Sequence, residues 1–219
     1  MGALAAEMLG IVRDRVDDLA GNNWSDAQVY AFLSAGQMHL ATQLPGAALY
    51  PLMSLASTPI VAGQNAYALP AGFLREMGLQ YKGLWARRWI VAEVNALLNG
   101  NTLTAPSEAE PYYVIWDGIL LPGIVPTQAG TDVILLWYFE VPPPISGSQE
   151  PLLPEVYHNP IEDWAVSLCM ESRGEFQVAS VEQQHALEQI ILIDSRYQGK
   201  PAFDGVPNDP RLDLLQRRG

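Results

Sequence analysis

Apolar residues recur at helical spacing through the first 44 residues of the chain. The first stripe, at three- and four-residue steps, consists of Leu9, Val12, Val16 and Leu19. It predicts a helix that ends at the turn residues Gly21-Asn22-Asn23. Ser25 then stands three residues before Gln28, the spacing of a capping box, and begins a second predicted helix that Pro45 ends. The apolar face of that helix comprises Val29, Phe32, Leu33, Gly36 and Leu40.

A second helical region follows residue 155. Asn159 is a suitable cap and Pro160 suits the first helical position, where its missing N–H is not needed. The apolar face of this third helix comprises Ile161, Trp164, Ala165 and Leu168. Gly174 ends it, and a fourth helix is predicted over Phe176–Tyr197. The residues predicted to pack inward from the fourth helix are Ala186, Leu187, Ile190, Ile191 and Ile193.

The middle of the chain has strand signals separated by glycine and proline. Asn65–Leu69 reads as a short strand, and Val133–Val141 is an apolar and aromatic run that ends at three consecutive prolines. Tyr112–Trp116 and Ile119–Leu121 flank Asp-Gly, a pair that tolerates the positive φ of a tight two-residue hairpin turn. Ala92–Leu98 is equally consistent with a helical turn and with a strand.

These patterns predict an α+β protein, in which a helical bundle formed from the N- and C-terminal helices carries an inserted antiparallel β domain. The predicted segments are 1–50 for the N-terminal helices, 51–154 for the β domain and 155–198 for the C-terminal helices. Residues 199–219, where glycine and proline recur, are predicted to be an extended C-terminal arm.

Composition narrows the classes of function. Twenty-four acidic and 12 basic residues give a net charge of -12, which opposes sequence-independent binding to a nucleic acid backbone. A hydrophobic fraction of 49% excludes disorder along the whole chain. No apolar run approaches the length of a membrane span, so no membrane partner is expected. The single cysteine, Cys169, leaves no internal disulfide and no cysteine-based zinc site.

No catalytic constellation emerges from the sequence, so we predict no enzyme, no catalytic residue, no metal and no cofactor. His158 with Asp163 is the nearest approach to an acid–base pair, but His158 reads better as a solvated or capping residue before the third helix. Asp14, Asp17 and Asp18 have arginines interleaved and read as a solvated, salt-bridged face. Cys169 lies on the predicted buried side of the third helix.

Tryptophans and one basic doublet are the remaining features of the β region. Four tryptophans are consistent with core and interface packing, and less so with stacking on a carbohydrate or a base: Trp85, Trp89, Trp116 and Trp137. The doublet Arg87-Arg88 is predicted to form a salt bridge to a neighbouring subunit.

Four phrases, in a fixed order, resemble bacteriophage adaptor proteins of the head–tail connector. The first is Val12–Asp18 followed by Trp24-Ser25-Asp26, and the second is Tyr67–Glu76, which reads YALPAGFLRE. The third is Tyr112–Ile119 followed by Leu121-Pro122, and the fourth is Leu153–His158 before a helix. Together they run from about residue 8 to 195 and are similar to the tail tubular protein A type of adaptor in short-tailed phages.

The resemblance implies a structural virion protein. Such adaptors form a homo-oligomeric ring, typically of twelve copies, that joins the portal protein of the head to the tail or to a nozzle or head-closure protein. The helical part then faces the portal and the β part faces the next component. The ring encloses the channel for DNA ejection, which genomic DNA passes without specific binding. The implied location is the neck of the virion at the head–tail junction, and the host cytoplasm before assembly.

The predicted interface residues belong to the basic doublet and the arm. They are Arg87, Arg88, Phe203, Leu212, Leu214 and Leu215. The three leucines would dock the arm onto a neighbour; a disordered arm is the alternative. Two other functions stay open: another neck or tail ring component, such as a tail terminator, and a small hydrolase or carbohydrate-binding module built on the β region.

Overall fold

The computed structural model describes residues 3–98, 107–121, 126 and 132–197. Its helices are α1 (Ala3–Arg15), α2 (Asp26–Gln43), α3 (Val91–Leu98), α4 (His158–Ser172) and α5 (Phe176–Tyr197). Its strands are β1 (Met53–Pro59), β2 (Ala66–Tyr67), β3 (Phe73–Tyr81), β4 (Leu84–Arg88), β5 (Tyr112–Ile115), β6 (Ile119–Leu120) and β7 (Val133–Glu140). Short 3₁₀ helices cover Gly46–Leu52 and Glu155–Tyr157. The predicted α+β class is confirmed.

The chain divides into two compact units. The helical unit comprises Met1–Ala48 and Pro143–Gly219, and the sheet unit comprises Leu49–Pro142. The two ends of the chain therefore share one unit, and the intervening residues form the other. The predicted arm, 199–219, with Phe203, Leu212, Leu214 and Leu215, lies outside the described residues.

The capping box predicted for the second helix is confirmed. The Gln28 backbone N–H donates to Ser25 Oγ at 3.3 Å, and the Ser25 N–H donates to Gln28 Oε1 at 2.8 Å. This satisfies two backbone donors that a helix start leaves free. The prediction for the first helix was wrong at its C-terminal end: α1 stops at Arg15, and Leu19 lies beyond it with 71% of its surface exposed.

The fourth helix has the bounds that the sequence predicts, but the third begins earlier than expected. Residue His158 is the first of α4, and Asn159 is not the cap. Proline is still tolerated at 160 because the first four N–H groups of a helix have no partner within it. Gly174, with a φ of +81°, lies between α4 and α5 as predicted.

The inner face of α5 is narrower than predicted. Ala186 and Ile190 are buried, and Ala179 joins them. Leu187 and Ile191 instead expose 44% and 67% of their surfaces, so their assignment to the inner face was wrong. Apolar periodicity identifies an apolar face, but not which molecule covers it.

Residues that follow the three prolines belong to the helical unit, although the predicted β segment runs to 154. Gln37, fully buried in α2, donates to the Pro143 carbonyl at 3.0 Å and accepts from the Leu152 N–H at 2.8 Å. The Ile145 N–H donates to Ser34 Oγ at 2.8 Å. Two polar side chains of α2 thus replace a sheet partner for this segment.

The strands form one sheet in the order β1-β7-β3-β4-β5-β6-β2. All pairs are antiparallel except β4 and β5, which are parallel. A parallel pair needs a long crossover connection, and α3 lies in the connection between these two strands. Ala92–Leu98, for which the sequence allowed either a helix or a strand, belongs to α3 and is helical. The buried cluster under the sheet comprises Ile60, Tyr67, Leu79, Tyr81, Tyr113, Ile119, Leu121, Ile134, Leu136 and Tyr138.

The predicted hairpin at Asp117-Gly118 exists, but its loop has a different geometry. Ile115 pairs with Ile119, so three residues form the loop, and Asp117 alone takes the positive φ, at 52°. Gly118 is required for a different reason. A Cβ at this position would lie 2.9 Å from the carbonyl oxygen of Tyr67, closer than a carbon–oxygen contact allows.

The close approach of α2 to α4 gives the first testable prediction. A Cβ at Gly36 would lie 2.8 Å from the Ile161 carbonyl oxygen, whereas one at Gly10 in α1 would meet nothing within 4 Å. We expect Gly36→Ala to lower the free energy of unfolding by about 2 kcal/mol because the helices must separate. The matched Gly10→Ala should raise it by about 0.5–1 kcal/mol because alanine favours a helix. Urea denaturation measures both; equal effects would contradict this packing.

Candidate assembly surfaces

Helix α5 presents an apolar surface to solvent. Phe176, Val181 and Ile191 expose 69%, 66% and 67% of their surfaces. The outward apolar set, here called the α5 face, comprises Phe176, Val178, Val181, Leu187, Ile191 and Leu192. Among the exposed α5 residues whose side chains the structure describes, Glu188 is the one carboxylate. Apolar surface at this density, with few charges, is typical of a surface that another protein covers.

An ionic network fixes α5 to the rest of the helical unit. Arg15, near the end of α1, donates from Nη1 to Asp163 Oδ1 and from Nη2 to Glu182 Oε2, each at 2.5 Å. His185 Nδ1 lies 2.9 Å from Asp163 Oδ2, and Gln189 donates to the same oxygen at 2.8 Å. The network, here called the Arg15 cluster, joins α1, α4 and α5. It lies on the flank of α5 that packs against the other helices.

The Arg15 cluster contains three groups that coordinate metals in other proteins. Ligand atoms of Asp163, Glu182 and His185 lie within 4.8 Å of one another. The guanidinium of Arg15, however, already bridges both carboxylates through two charge-assisted hydrogen bonds. A divalent ion between the same oxygens would have to displace it. We therefore assign the cluster to a salt-bridge network.

Glu162 lies beside this network and is 95% buried, with 5% of its surface exposed. Burial raises the pKa of its carboxyl to about 7; the Arg15 charge opposes this, and the charges of Asp163 and Glu7 add to it. The helical unit thus holds a carboxyl group that exchanges its proton near neutral pH. No sequence pattern singled out this residue, because an isolated glutamate in an amphipathic helix is usually solvated.

The aspartates at the end of α1 behave differently from the solvated face that the sequence predicts. Asp14 and Asp17 are exposed, but Asp18 is 3% exposed. Its carboxylate accepts the backbone N–H groups of Asn22, Asn23 and Trp24 and pairs with Arg13 at 3.0 Å. Burial alone would raise the pKa of Asp18, but these donors lower it below its ordinary value. Asp18 orders the turn between α1 and α2.

The candidate catalytic residues of the helical unit serve packing. His158 is buried, not solvated, and its Nε2 lies 3.0 Å from the Leu153 carbonyl oxygen. Asp163, its predicted partner, contacts Arg15, His185 and Gln189 instead. Cys169 is fully buried as predicted, and burial raises the pKa of its thiol to about 11, which opposes a role as a nucleophile.

The basic doublet of the sheet unit splits between two environments. Arg88 forms an ion pair with Glu76 of the neighbouring strand β3, so it has a partner within its own chain. Arg87 is exposed, and its guanidinium lies 5.9 Å from the ring centroid of Tyr112. Of the two, Arg87 is the one whose charge faces solvent without an acidic partner among the described residues.

Arg87 also lines a cleft of about 350 Å³ in the sheet unit. This cleft, here called the Trp85 cleft, is formed by Leu84, Trp85, Arg87, Ala109, Glu110, Pro111 and Tyr112. The tryptophans have no common role: Trp89 is buried, Trp85 and Trp137 contact each other with ring centroids 5.0 Å apart, and Trp116 is 65% exposed.

A search of the described helices finds none that is both long and apolar enough to cross a bilayer.

The first prediction for these surfaces concerns the Arg15 cluster. Asp163→Asn removes one negative charge from a side chain that is 3% exposed, and leaves the guanidinium with one carboxylate. We expect the free energy of unfolding to fall by about 2 kcal/mol at pH 7. Asp17→Asn makes the same exchange at an exposed position and should change stability by less than about 0.5 kcal/mol. Equal effects in urea denaturation would show that the cluster does not stabilise the unit.

The second prediction concerns the carboxyl group of Glu162. Because its pKa of about 7 exceeds that of a solvated glutamate, the native state binds more protons between about pH 4.5 and 7, and stability falls as the pH rises through this window. Glu162→Gln should therefore stabilise the protein by about 2 kcal/mol at pH 8, allowing for solvent screening, and hardly at pH 5. Thermal unfolding at both values measures this. The control Glu188→Gln should show no such difference; a pH-independent effect of Glu162→Gln would contradict the raised pKa.

Comparison with known proteins bears on which of these surfaces serve a function. A search of curated proteins finds no match to the chain. The sequence profile described as SU10 adaptor protein matches residues 4–202, which spans both units and most of the chain. This agrees with the phage adaptor resemblance and with a structural role in the virion. The chain belongs to the SU10 adaptor protein family of phage structural proteins.

Proposed function

We propose that this protein is the adaptor ring that joins the portal vertex of the head to the tail or to the next neck component. Copies of the chain surround the channel through which DNA is ejected, at the neck of the virion, after assembly from subunits in the host cytoplasm. The observation that carries the proposal is the α5 face, in a chain whose family consists of phage adaptors. An apolar surface of this kind is costly in an isolated subunit and favourable in a contact between proteins.

The occupant we assign to the α5 face is the portal. The resemblance implies that the helical part of such adaptors faces the portal, and α5 belongs to the helical unit. The Arg15 cluster supports this assignment because it ties α5 to α1 and α4 along one flank, so the apolar surface of α5 is preformed. A preformed surface loses less conformational entropy on binding than one that must order.

Charge supports the passage of DNA without specific binding. Residues 143–198 carry nine carboxylates and two arginines, and the net charge of the whole chain is -12. A ring of such subunits, twelve in the arrangement that the resemblance implies, repels phosphate groups at short range. DNA would therefore pass the lumen without the counterion release that drives adhesion.

Contacts between neighbouring subunits use the sheet unit and the arm in this proposal. A closed ring requires two different surfaces on each subunit, one of which fits the other on the next copy. Arg87, and Arg88 where its pair with Glu76 opens, supply charge to that contact. Phe203, Leu212, Leu214 and Leu215 of the arm supply apolar groups.

The test of this proposal uses variants of the α5 face. Val181→Glu with Ile191→Glu places two charges on an exposed surface, so the thermal unfolding midpoint should stay near the wild-type value while portal binding weakens at least about tenfold. Leu19→Glu is the matched control, since Leu19 is exposed and lies outside α5. Sedimentation velocity with purified portal measures binding, and electron microscopy of the complex counts the copies.

Three outcomes would contradict the proposal. Wild-type binding by the double variant would remove the α5 face from the portal contact. Closed rings that form without any affinity for portal would favour another neck role, such as a tail terminator. Turnover of a small-molecule substrate would point to the hydrolase alternative.

A further inference from the structure

The Trp85 cleft lies where the ladder between β4 and β5 stops at a proline. β4 and β5 pair from Arg87 onward, where the Arg87 N–H donates to the Pro111 carbonyl at 2.8 Å. Backbone groups alternate in direction along a strand, so the carbonyl of Trp85 points to the same side as the Arg87 N–H. Across the ladder, the hydrogen-bond donor for the Trp85 carbonyl would be the backbone N–H of residue 111. Residue 111 is proline and has no N–H.

The direction of these groups is fixed by the hairpin between β3 and β4. Its turn is Lys82-Gly83, with φ of 49° and 77°, and Tyr81 pairs with Leu84 directly beside it. A two-residue turn of this type makes the flanking pair exchange hydrogen bonds, so Leu84 and Ala86 direct their backbone groups towards β3. Trp85 lies between them and directs its own outward, into the cleft.

The aromatic side chains of the cleft contact other residues of the sheet unit. The Cζ3 edge of the Trp85 ring lies close to Gly78, where an added Cβ would come to 3.0 Å from it, and the ring also contacts Trp137. Even so, 46% of the Trp85 surface remains exposed. Tyr112 is held beneath the guanidinium of Arg87 and against Trp89, at ring centroids 4.6 Å apart. Rings that are already ordered bind a ligand at small entropic cost.

These features together define the chemistry of a ligand. A half-exposed tryptophan ring, beside a stretch of strand edge that no described residue pairs, suits an extended peptide that contains proline, since proline rings stack on aromatic side chains and hold the chain extended. Arg87 and Glu110 at the rim offer one positive and one negative group. A fitting peptide would carry prolines flanked by residues of both charges.

The C-terminal arm has this composition. Residues 199–219 contain Pro201, Pro207 and Pro210, flanked by Lys200, Asp209 and Arg211. Each residue before a proline is restricted to extended conformations. The 13 residues from 198 to 210 can span roughly 40 Å at about 3.1 Å per residue in a polyproline conformation.

We propose that the Trp85 cleft binds the proline-containing segment 200–211 of the C-terminal arm of a neighbouring copy of this chain. The segment lies extended against the Trp85 and Tyr112 rings, and the leucines that follow it continue onto the same neighbour. This assignment rests on the proposed function in one respect only, that several copies of the chain assemble side by side.

A crosslinking experiment on the full-length protein tests it. Leu84 lines the cleft and is 45% exposed, so a photoreactive benzoylphenylalanine at this position leaves Trp85 in place. Equal amounts of ¹⁴N- and ¹⁵N-labelled chains are assembled with portal, irradiated and digested for mass spectrometry. We expect mixed-isotope crosslinks from position 84 to residues 200–211. The control, the same label at Trp116, lies outside the cleft and should give none to that segment.

A second measurement does not depend on ring formation. A fluorescent peptide of residues 198–213 is titrated with full-length protein and followed by anisotropy. Trp85→Ala should weaken binding about tenfold or more, whereas Trp116→Ala should leave it unchanged. Peptide binding without portal binding would support the cleft and contradict the adaptor ring.

The proposal is overturned if rings form while both assays are negative. It is also overturned if crosslinks from position 84 join only chains of one isotope, which would place the arm on its own subunit. Binding of a soluble oligosaccharide that depends on Trp85, with no peptide binding, would assign the cleft to a sugar instead.

Discussion

The helical unit depends on the ion pairs that the guanidinium of Arg15 forms with two carboxylates. The guanidinium lies between two carboxylates that come from helices more than 140 residues away in the chain, and both hydrogen bonds measure 2.5 Å. Asp163 is almost completely buried, so its charge would be costly without this partner. The bridge therefore couples the N-terminal helix to α4 and α5.

The outward side of α5 carries different side chains from the side that packs against the helical unit. Val181 and Ile191 lie on the outward surface of α5 and take no part in the Arg15 cluster. In the proposed function, one side of α5 stabilises the fold and the other side binds the portal. Substitutions on the outward side should act on assembly without unfolding the subunit, which allows the two effects to be measured separately.

Local signals in the sequence predicted local structure well. The Ser25–Gln28 capping box, the stop at Gly174 and the bounds of α5 all depend on residues close together in the chain. The sequence pattern did not predict strand β3, because its apolar and polar residues do not alternate. Glu76 in this strand is a buried charge, and its partner, Arg88, lies on the neighbouring strand β4. The Arg15 cluster was invisible for the same reason: its members meet only after folding. Periodicity also misassigned Ile191, because an apolar residue that stays exposed on the folded subunit has the same sequence pattern as one that the core covers.

The two surfaces suit different tasks in an adaptor. An apolar helix face such as that of α5 gives affinity that depends on close fit, so it demands a partner of complementary shape. A cleft for an extended peptide, as proposed for the Trp85 cleft, tolerates variation in the distance and angle between subunits because an extended segment spans the difference. Once one contact has formed, the second becomes intramolecular and gains from a high effective concentration. In the ring proposed above, a subunit that uses both surfaces joins while its neighbours still adjust, and becomes fixed only when each contact is made.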